Sequence, residues 1–278
     1  MIININGKSL KITNQIPEYE DLIEWRFLSF NRIDEEKNIN SFLEITPKYT
    51  KIKIENRQYY ISGKLLRTDI YTILNAVVSI ILSDEDNAYI HSSVLSKNKK
   101  GILLLGTFSQ GKTTLALEME KNGFNINSAD YTHLYFDGKR LKMKSGSRHL
   151  KYEDKIRLLD EANSNLNIEI KEVYILLGIC DGGIFKKEKV TDENYMVKKI
   201  FPFLTWWTNA PLISDPNIIL QNTKYKEMFG FLKNKLSHVQ DLSRQNFLLN
   251  TRSFYELSYP ASPQCQMQQL ESHMKVIQ

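Results

Sequence analysis

Gly106-Thr107-Phe108-Ser109-Gln110-Gly111-Lys112-Thr113 meets the pattern G-x-x-x-x-G-K-[ST] at every fixed position. Each residue type has a physical reason to stand where it does. Glycines at both ends let the backbone curl until consecutive N–H groups point inward, at the oxygens of a phosphate. Lys112 supplies a mobile point charge for the β- and γ-phosphates of a nucleotide, and the Thr113 hydroxyl is a Mg²⁺ ligand. The nucleotide-binding set expected from the motif is Gly106, Ser109, Gln110, Gly111, Lys112, Thr113 and Thr114. By residue frequencies alone the bare pattern arises on the order of once in a hundred chains of this length.

Two other positions could share the chemistry. Asn125-Ile126-Asn127-Ser128-Ala129-Asp130 is a short strand that ends in an acid, and Asp130 there can serve as a metal ligand or a general base. His91 closes the apolar segment AYIH upstream of the loop; a lone histidine at a strand end is ordinarily structural. The segment Ser145-Gly146-Ser147-Arg148-His149 has two readings: a contact from Arg148 to phosphate, which a guanidinium suits, or a solvated loop. The chain has no NKxD-like guanine reader and no apolar run ending in Asp-Glu. Both absences argue against switch GTPases and transport-type ATPases.

The elements that must hold these residues are legible around the loop. GILLLG reads as a fully buried strand leading in. TTLALEMEKNG reads as a helix leading out, its positive dipole end on the phosphate side and its stop written by Lys121, Asn122 and Gly123. AYIHSSVL reads as one strand, SKNKK as a turn, LYFDGKRLKMK as a hairpin about Asp137-Gly138, and EIKEVYILLGI as a second buried strand before a corner at Asp181-Gly182-Gly183.

Ahead of this core, MIININ and SLKITN flank Gly7-Lys8 as a hairpin, and TKIKIENRQYYISG repeats the pattern around Asn56-Arg57. Residues 18–31 read as helical or irregular. Thr68 or Asp69 caps a helix whose apolar positions are Ile70, Ile73, Leu74, Val77 and Val78. After residue 190 the chain reads as mostly helical, with an aromatic cluster of Phe201, Phe203, Trp206 and Trp207 that is either core or a peptide-docking surface. The Gln-rich tail from Pro260 is either a docking helix or frayed. The expected organisation is an α+β accessory region over 1–85, a phosphate-loop core over 86–190, and a mostly helical region over 191–278.

Bulk properties narrow the class further. The 278 residues carry 42% hydrophobic side chains and a net charge of +5 that is not gathered into a tail. That suits an anionic ligand but gives no footprint for nucleic acid. Cys180 and Cys265 have no metal-ligand spacing around them. With no basic–apolar leader and no membrane-length apolar run, the expectation is a soluble, cytoplasmic protein without a membrane partner.

Taken together, HSSVL, GILLLGTFSQGKTTLALEMEKNGF and NINSADYTHLYF resemble the HPr kinase/phosphorylase family, over roughly residues 88–137. They are most similar to its smaller relatives, the lasso-peptide precursor serine kinases of ribosomal peptide pathways. The resemblance implies an α/β fold with a mixed sheet of the phosphoenolpyruvate carboxykinase-like type, preceded by a small α+β segment and followed by C-terminal helices. It also implies ATP and Mg²⁺, and transfer of the γ-phosphate to a serine hydroxyl of a peptide or protein. Carried over by position, Lys112 and Thr113 bind phosphate and metal, Asp130 is the catalytic carboxylate and metal ligand, and His91 stands beside it. Homo-oligomers occur in the family. Where the family has two adjacent acids, this chain has Ala129-Asp130. Two alternatives follow: a kinase of the same fold acting on a small molecule or amino acid, or an ATP-binding regulatory protein with weakened catalysis.

Overall fold

Strict alternation builds the first sheet. Ile3 and Ile5 in β1 (Ile2–Ile5) and Leu10 and Ile12 in β2 (Lys8–Asn14) are buried, while Asn4 and Lys11 between them are only half-buried. The two strands pair antiparallel about Gly7, as the sequence predicts. In the computed structural model the described residues are 1–5, 7–27, 30–33, 39–54, 57–82, 86–106, 110–152, 155–161, 167–180, 186–204 and 253–260. They fall into two units, one within Met1–Asp84 and one built on Glu85–Leu204 with the strand at 253–260.

In the first unit, β3 (Asn31–Arg32), β4 (Ile39–Ile45), β5 (Tyr49–Ile54) and β6 (Arg57–Ser62) complete a six-stranded sheet of order β3-β1-β2-β4-β5-β6. Only β2 and β4 run parallel. The predicted β5–β6 hairpin is present; Asn56 in its turn lies outside the described residues. A short 3₁₀ turn (Pro17–Tyr19) enters α1 (Glu20–Phe27). In α2 (Arg67–Leu82), Ile70, Ile73, Leu74, Val77 and Val78 are all buried. Its start differs from the expected cap. The helix begins at Arg67, and the Asp69 carboxylate reaches back to accept from the Leu66 N–H at 3.1 Å, which is the return half of a capping box.

The second unit is built on a mixed sheet. Its path is β10 (Asn125–Ser128), β8 (Ser92–Lys97), β9 (Lys100–Leu105), β15 (Ile168–Cys180), β12 (Leu141–Gly146), β11 (Thr132–Phe136) and β7 (Asn87–Ile90). β9 and β15 run parallel, and β15 also carries β17 (Ser253–Pro260) parallel along its later half, with β16 (Lys186–Val190) beyond it. The β8–β9 hairpin turns on Asn98 and Lys99, both at positive φ, as a two-residue turn between right-twisted strands requires. Alternation along β9 sends side chains to two cores. Leu103 and Leu105 join Val94, Met143, Val173 and Ile175, with Ile200 and Phe203 of α4 (Glu193–Leu204). Ile102 and Leu104 join Leu95, Tyr174 and Leu176 under Leu115, Ala116 and Met119 of α3 (Lys112–Lys121).

One expectation is revised, and two further elements come into view. AYIHSSVL is not one strand: it breaks at His91 into β7 and β8, which belong to opposite regions of the sheet. A second hairpin, β13 (His149–Tyr152) with β14 (Lys155–Leu158), follows the first. In the region expected to be mostly helical, α4 is a helix and 253–260 is a strand paired with β15; residues 205–252, with Trp206 and Trp207, and the tail from residue 261 lie outside the described residues. Among the described residues no helix is long and apolar enough to cross a membrane.

Candidate functional site

The phosphate-loop motif sits where its physics demands, at the end of a buried strand and the start of a helix. Gly106 follows β9, and Gly111 precedes α3 with φ +82°, a left-handed conformation that bends the chain into the helix. The Gly111 carbonyl accepts the first helical bond from Leu115 at 2.9 Å. Gly111 has no side chain with which to cap α3, and a phosphate at this helix start would meet the backbone of its first turn, Lys112 to Thr114. Thr113 is half-buried and Thr114 exposed at that end; Thr107, Phe108 and Ser109 lie outside the described residues. Gln110 lies over Gly106, its Oε1 at 3.3 Å from where a Cβ there would stand.

Lys112 is strongly perturbed. It is 8% exposed, and its Nζ donates to the Gly106 carbonyl at 2.6 Å, across the mouth of the loop. Burial pushes its pKa down to about 8, against the opposing pull of the Asp130 charge. Asp130 is therefore within electrostatic reach of the loop lysine, although 18 positions separate them in the chain.

Strand registers explain how His91 joins them. In the antiparallel β8–β9 pair, Ser92 is opposite Leu105, so the residue before Ser92 stands level with Gly106. In the antiparallel β7–β11 pair, Ile90 is opposite Thr132, so the residue after Ile90 stands level with the turn at 129–131. Both conditions select His91, the single residue between the two strands. Its side chain is fully buried, and its Nε2 lies 3.1 Å from Oδ1 of Asp130, whose side chain is 36% exposed. An ionised carboxylate only accepts, so in this pair Nε2 carries the proton and donates. The imidazole thus aims the carboxylate while leaving part of it open to solvent and substrate.

A buried hydroxyl chain braces the same corner. Ser92 Oγ donates to Thr132 Oγ1 at 2.9 Å, Thr132 Oγ1 to Ser128 Oγ at 2.9 Å, and Ser128 Oγ to the Tyr131 carbonyl at 2.5 Å. Ser93 Oγ donates to the Ala129 carbonyl at 2.5 Å. None of these was singled out in the sequence, where four small hydroxyl residues carry no periodic signal.

Arg148 is placed elsewhere. Its guanidinium donates to the Leu159 carbonyl at 3.0 Å and pairs with Glu161 at 3.2 Å, fastening the segment after the β13–β14 hairpin. Asp137 is a turn residue, accepting from the Lys139 and Arg140 amides and pairing with Lys142; Asp154 lies outside the described residues. Ala129 is 5% exposed and belongs to the apolar cluster under α3, with Leu115, Ala116 and Met119.

The arrangement fits a nucleotide polyphosphate: the N-terminal end of α3, with its dipole, and a buried ammonium lie at the same loop. Thr113 and Asp130 would hold Mg²⁺. No group of three or more His, Cys, Asp or Glu side chains suited to a metal occurs among the described residues.

No protein-family model matches the chain, and no curated protein does. Among solved structures the chain is similar to the Hpr(Ser) kinase/phosphatase from Coxiella burnetii, with 12% sequence identity and a TM-score of 0.33, over 68% of this chain and 97% of that one.

Proposed function

We propose that this protein is an ATP- and Mg²⁺-dependent kinase that passes the γ-phosphate to a serine hydroxyl of a peptide or protein. The observation that carries the reading is the Asp130 carboxylate, aimed by a buried His91 at 3.1 Å and close enough to the loop lysine to act on its charge. A phosphate loop by itself only holds a nucleotide; a directed, part-exposed carboxylate beside it can receive a proton.

The chain's own groups divide the work. The α3 amides and Lys112 hold the β- and γ-phosphates and offset the charge that grows on the leaving oxygen. Asp130 accepts the acceptor's hydroxyl proton as the serine Oγ–phosphorus bond forms and the bond from phosphorus to the β,γ-bridging oxygen breaks, releasing ADP. His91 keeps the carboxylate pointed at that proton. Bound at Thr113 and Asp130, Mg²⁺ would supply charge neutralisation between the phosphates. The resemblance in residues 88–137 supports serine as the acceptor and a natural-product precursor peptide as its bearer.

Ala129 bears on the weakened-catalysis alternative. Its side chain points into the apolar cluster beneath α3, so an acid there would be buried among Leu115, Ala116 and Met119. On this reading Asp130 is the one carboxylate of the pair that acts, and Ala129 serves the packing beneath α3.

Incubation with ATP labelled at the γ-position and a panel of serine-containing peptides tests the proposal. Label is expected on serine, in the presence of Mg²⁺ only. Label on a small-molecule alcohol and on no peptide would replace the acceptor class; tight ATP binding with no transfer to anything would overturn the reading.

A further inference from the structure

The segment Ser145-Gly146-Ser147-Arg148-His149 is left without a role once Arg148 is seen to face Leu159 and Glu161. Its neighbours show a different use. Ser147, 2% exposed, forms three hydrogen bonds with the turn that carries Asp130. The Ala129 N–H donates to the Ser147 carbonyl at 3.1 Å, the Ser147 N–H donates to the Tyr131 carbonyl at 2.9 Å, and the Asp130 N–H donates to Ser147 Oγ at 2.9 Å. Two of these are main chain to main chain. The third alone depends on a side chain, and it grips the residue that bears the carboxylate.

Gly146 makes the approach feasible. A Cβ at that position would overlap the Cβ and Oγ of Ser128, so only glycine lets the end of β12 come this close to the turn. From the opposite side, Ser93 Oγ holds the Ala129 carbonyl at 2.5 Å. The turn is therefore clamped between β8 and the end of β12, and His91 is fully buried on its own strand junction and cannot follow a displaced acid.

We propose that Ser147 is a positioning residue for the phosphotransfer reaction, its hydroxyl fixing the Asp130 backbone so that the carboxylate meets both His91 and the acceptor's proton. This rests on the kinase reading above for its consequence to catalysis, but not for its structural content. Displacing a reacting group by about an ångström costs about a hundredfold in rate. Ser147→Ala keeps both main-chain bonds and removes only the hydroxyl.

The test pairs a rate with an amide-resolved measurement on the full chain. In Ser147→Ala, hydrogen exchange at the Asp130 amide is expected to speed up by roughly tenfold or more, since that N–H loses the Ser147 hydroxyl as acceptor, while the Ala129 amide stays as protected as before. The same variant should lose about 10- to 100-fold in kcat with its KM for ATP unchanged. Ser147→Cys, of the same branching but with a bulkier, weaker acceptor, is expected between the two; it also serves if the alanine variant does not fold. An Asp130 amide that keeps its protection in both variants overturns the proposal, as does an unchanged kcat. If wild-type protein transfers no phosphate at all, the kinase reading fails; the exchange result then stands alone and still decides whether the hydroxyl clamps the turn.

Discussion

Nucleotide binding should take up a proton through Lys112, in an amount set by the structure. Burial in the loop brings that ammonium's pKa down to about 8. An arriving polyphosphate stabilises the charged form and raises the pKa again. Below pH 7 the lysine is already charged and binding is proton-neutral; above pH 8 it must gain a proton to bind. With a pKa of about 8, roughly nine-tenths of free protein is charged at pH 7 and roughly one-tenth at pH 9. The affinity should therefore fall about tenfold between those pH values, with uptake of about half a proton per nucleotide at pH 8 and about nine-tenths at pH 9. Phosphate ionises fully at lower pH, its last pKa being about 6, so the nucleotide adds little to the count there. Isothermal titration calorimetry in buffers of different ionisation enthalpy counts these protons directly. Lys112→Arg, charged at every pH used, is the control and should show no uptake. Zero uptake by the wild type at both pH 8 and pH 9, or equal uptake in the arginine variant, would refute the reasoning.

Three further outcomes follow from single residues. Ala129→Asp places a carboxylate among Leu115, Ala116 and Met119 and should cost about 3–5 kcal/mol of stability without raising the transfer rate, as thermal unfolding and kinetics would show. Gly111→Ala forces a side chain onto φ +82° and should cost about 1–2 kcal/mol along with most of the ATP affinity, measured by denaturant titration and calorimetry. Arg148→Ala should free the segment at Leu159 and Glu161, seen as faster amide exchange there, while the KM for ATP moves by less than about twofold.

The loop was legible in the sequence because everything that defines it is local. A buried strand, two glycines, Lys-Thr and an amphipathic helix are written within residues 101–124, and all but Thr107, Phe108 and Ser109 can be placed as expected. His91 and Asp130 were legible only through family-like order, since their contact is made by two strand registers between residues 39 apart. The break at His91 was hidden because β7 and β8 are separated by a single residue and both are largely buried, so no turn signal marks the crossing. The β13–β14 hairpin was missed for the opposite reason: Leu150 alone of its residues is buried, and β14 is exposed throughout. β17 gave no signal a local reading could use, because Phe254 and Leu257 acquire their meaning from a parallel partner about eighty positions earlier. The Ser147 clamp is hydrogen bonding to backbone across strands, which side-chain spacing does not encode.

The central claim is that Asp130 is a catalytic carboxylate beside a nucleotide site. It is tested most directly by separating binding from transfer in Asp130→Asn, which preserves shape and a hydrogen-bonding partner for His91 while removing the proton acceptor. The account predicts that ATP still binds, and that γ-phosphate transfer to the serine acceptor falls by about 10²- to 10⁴-fold. Transfer at the wild-type rate by that variant, with ATP bound, would contradict it.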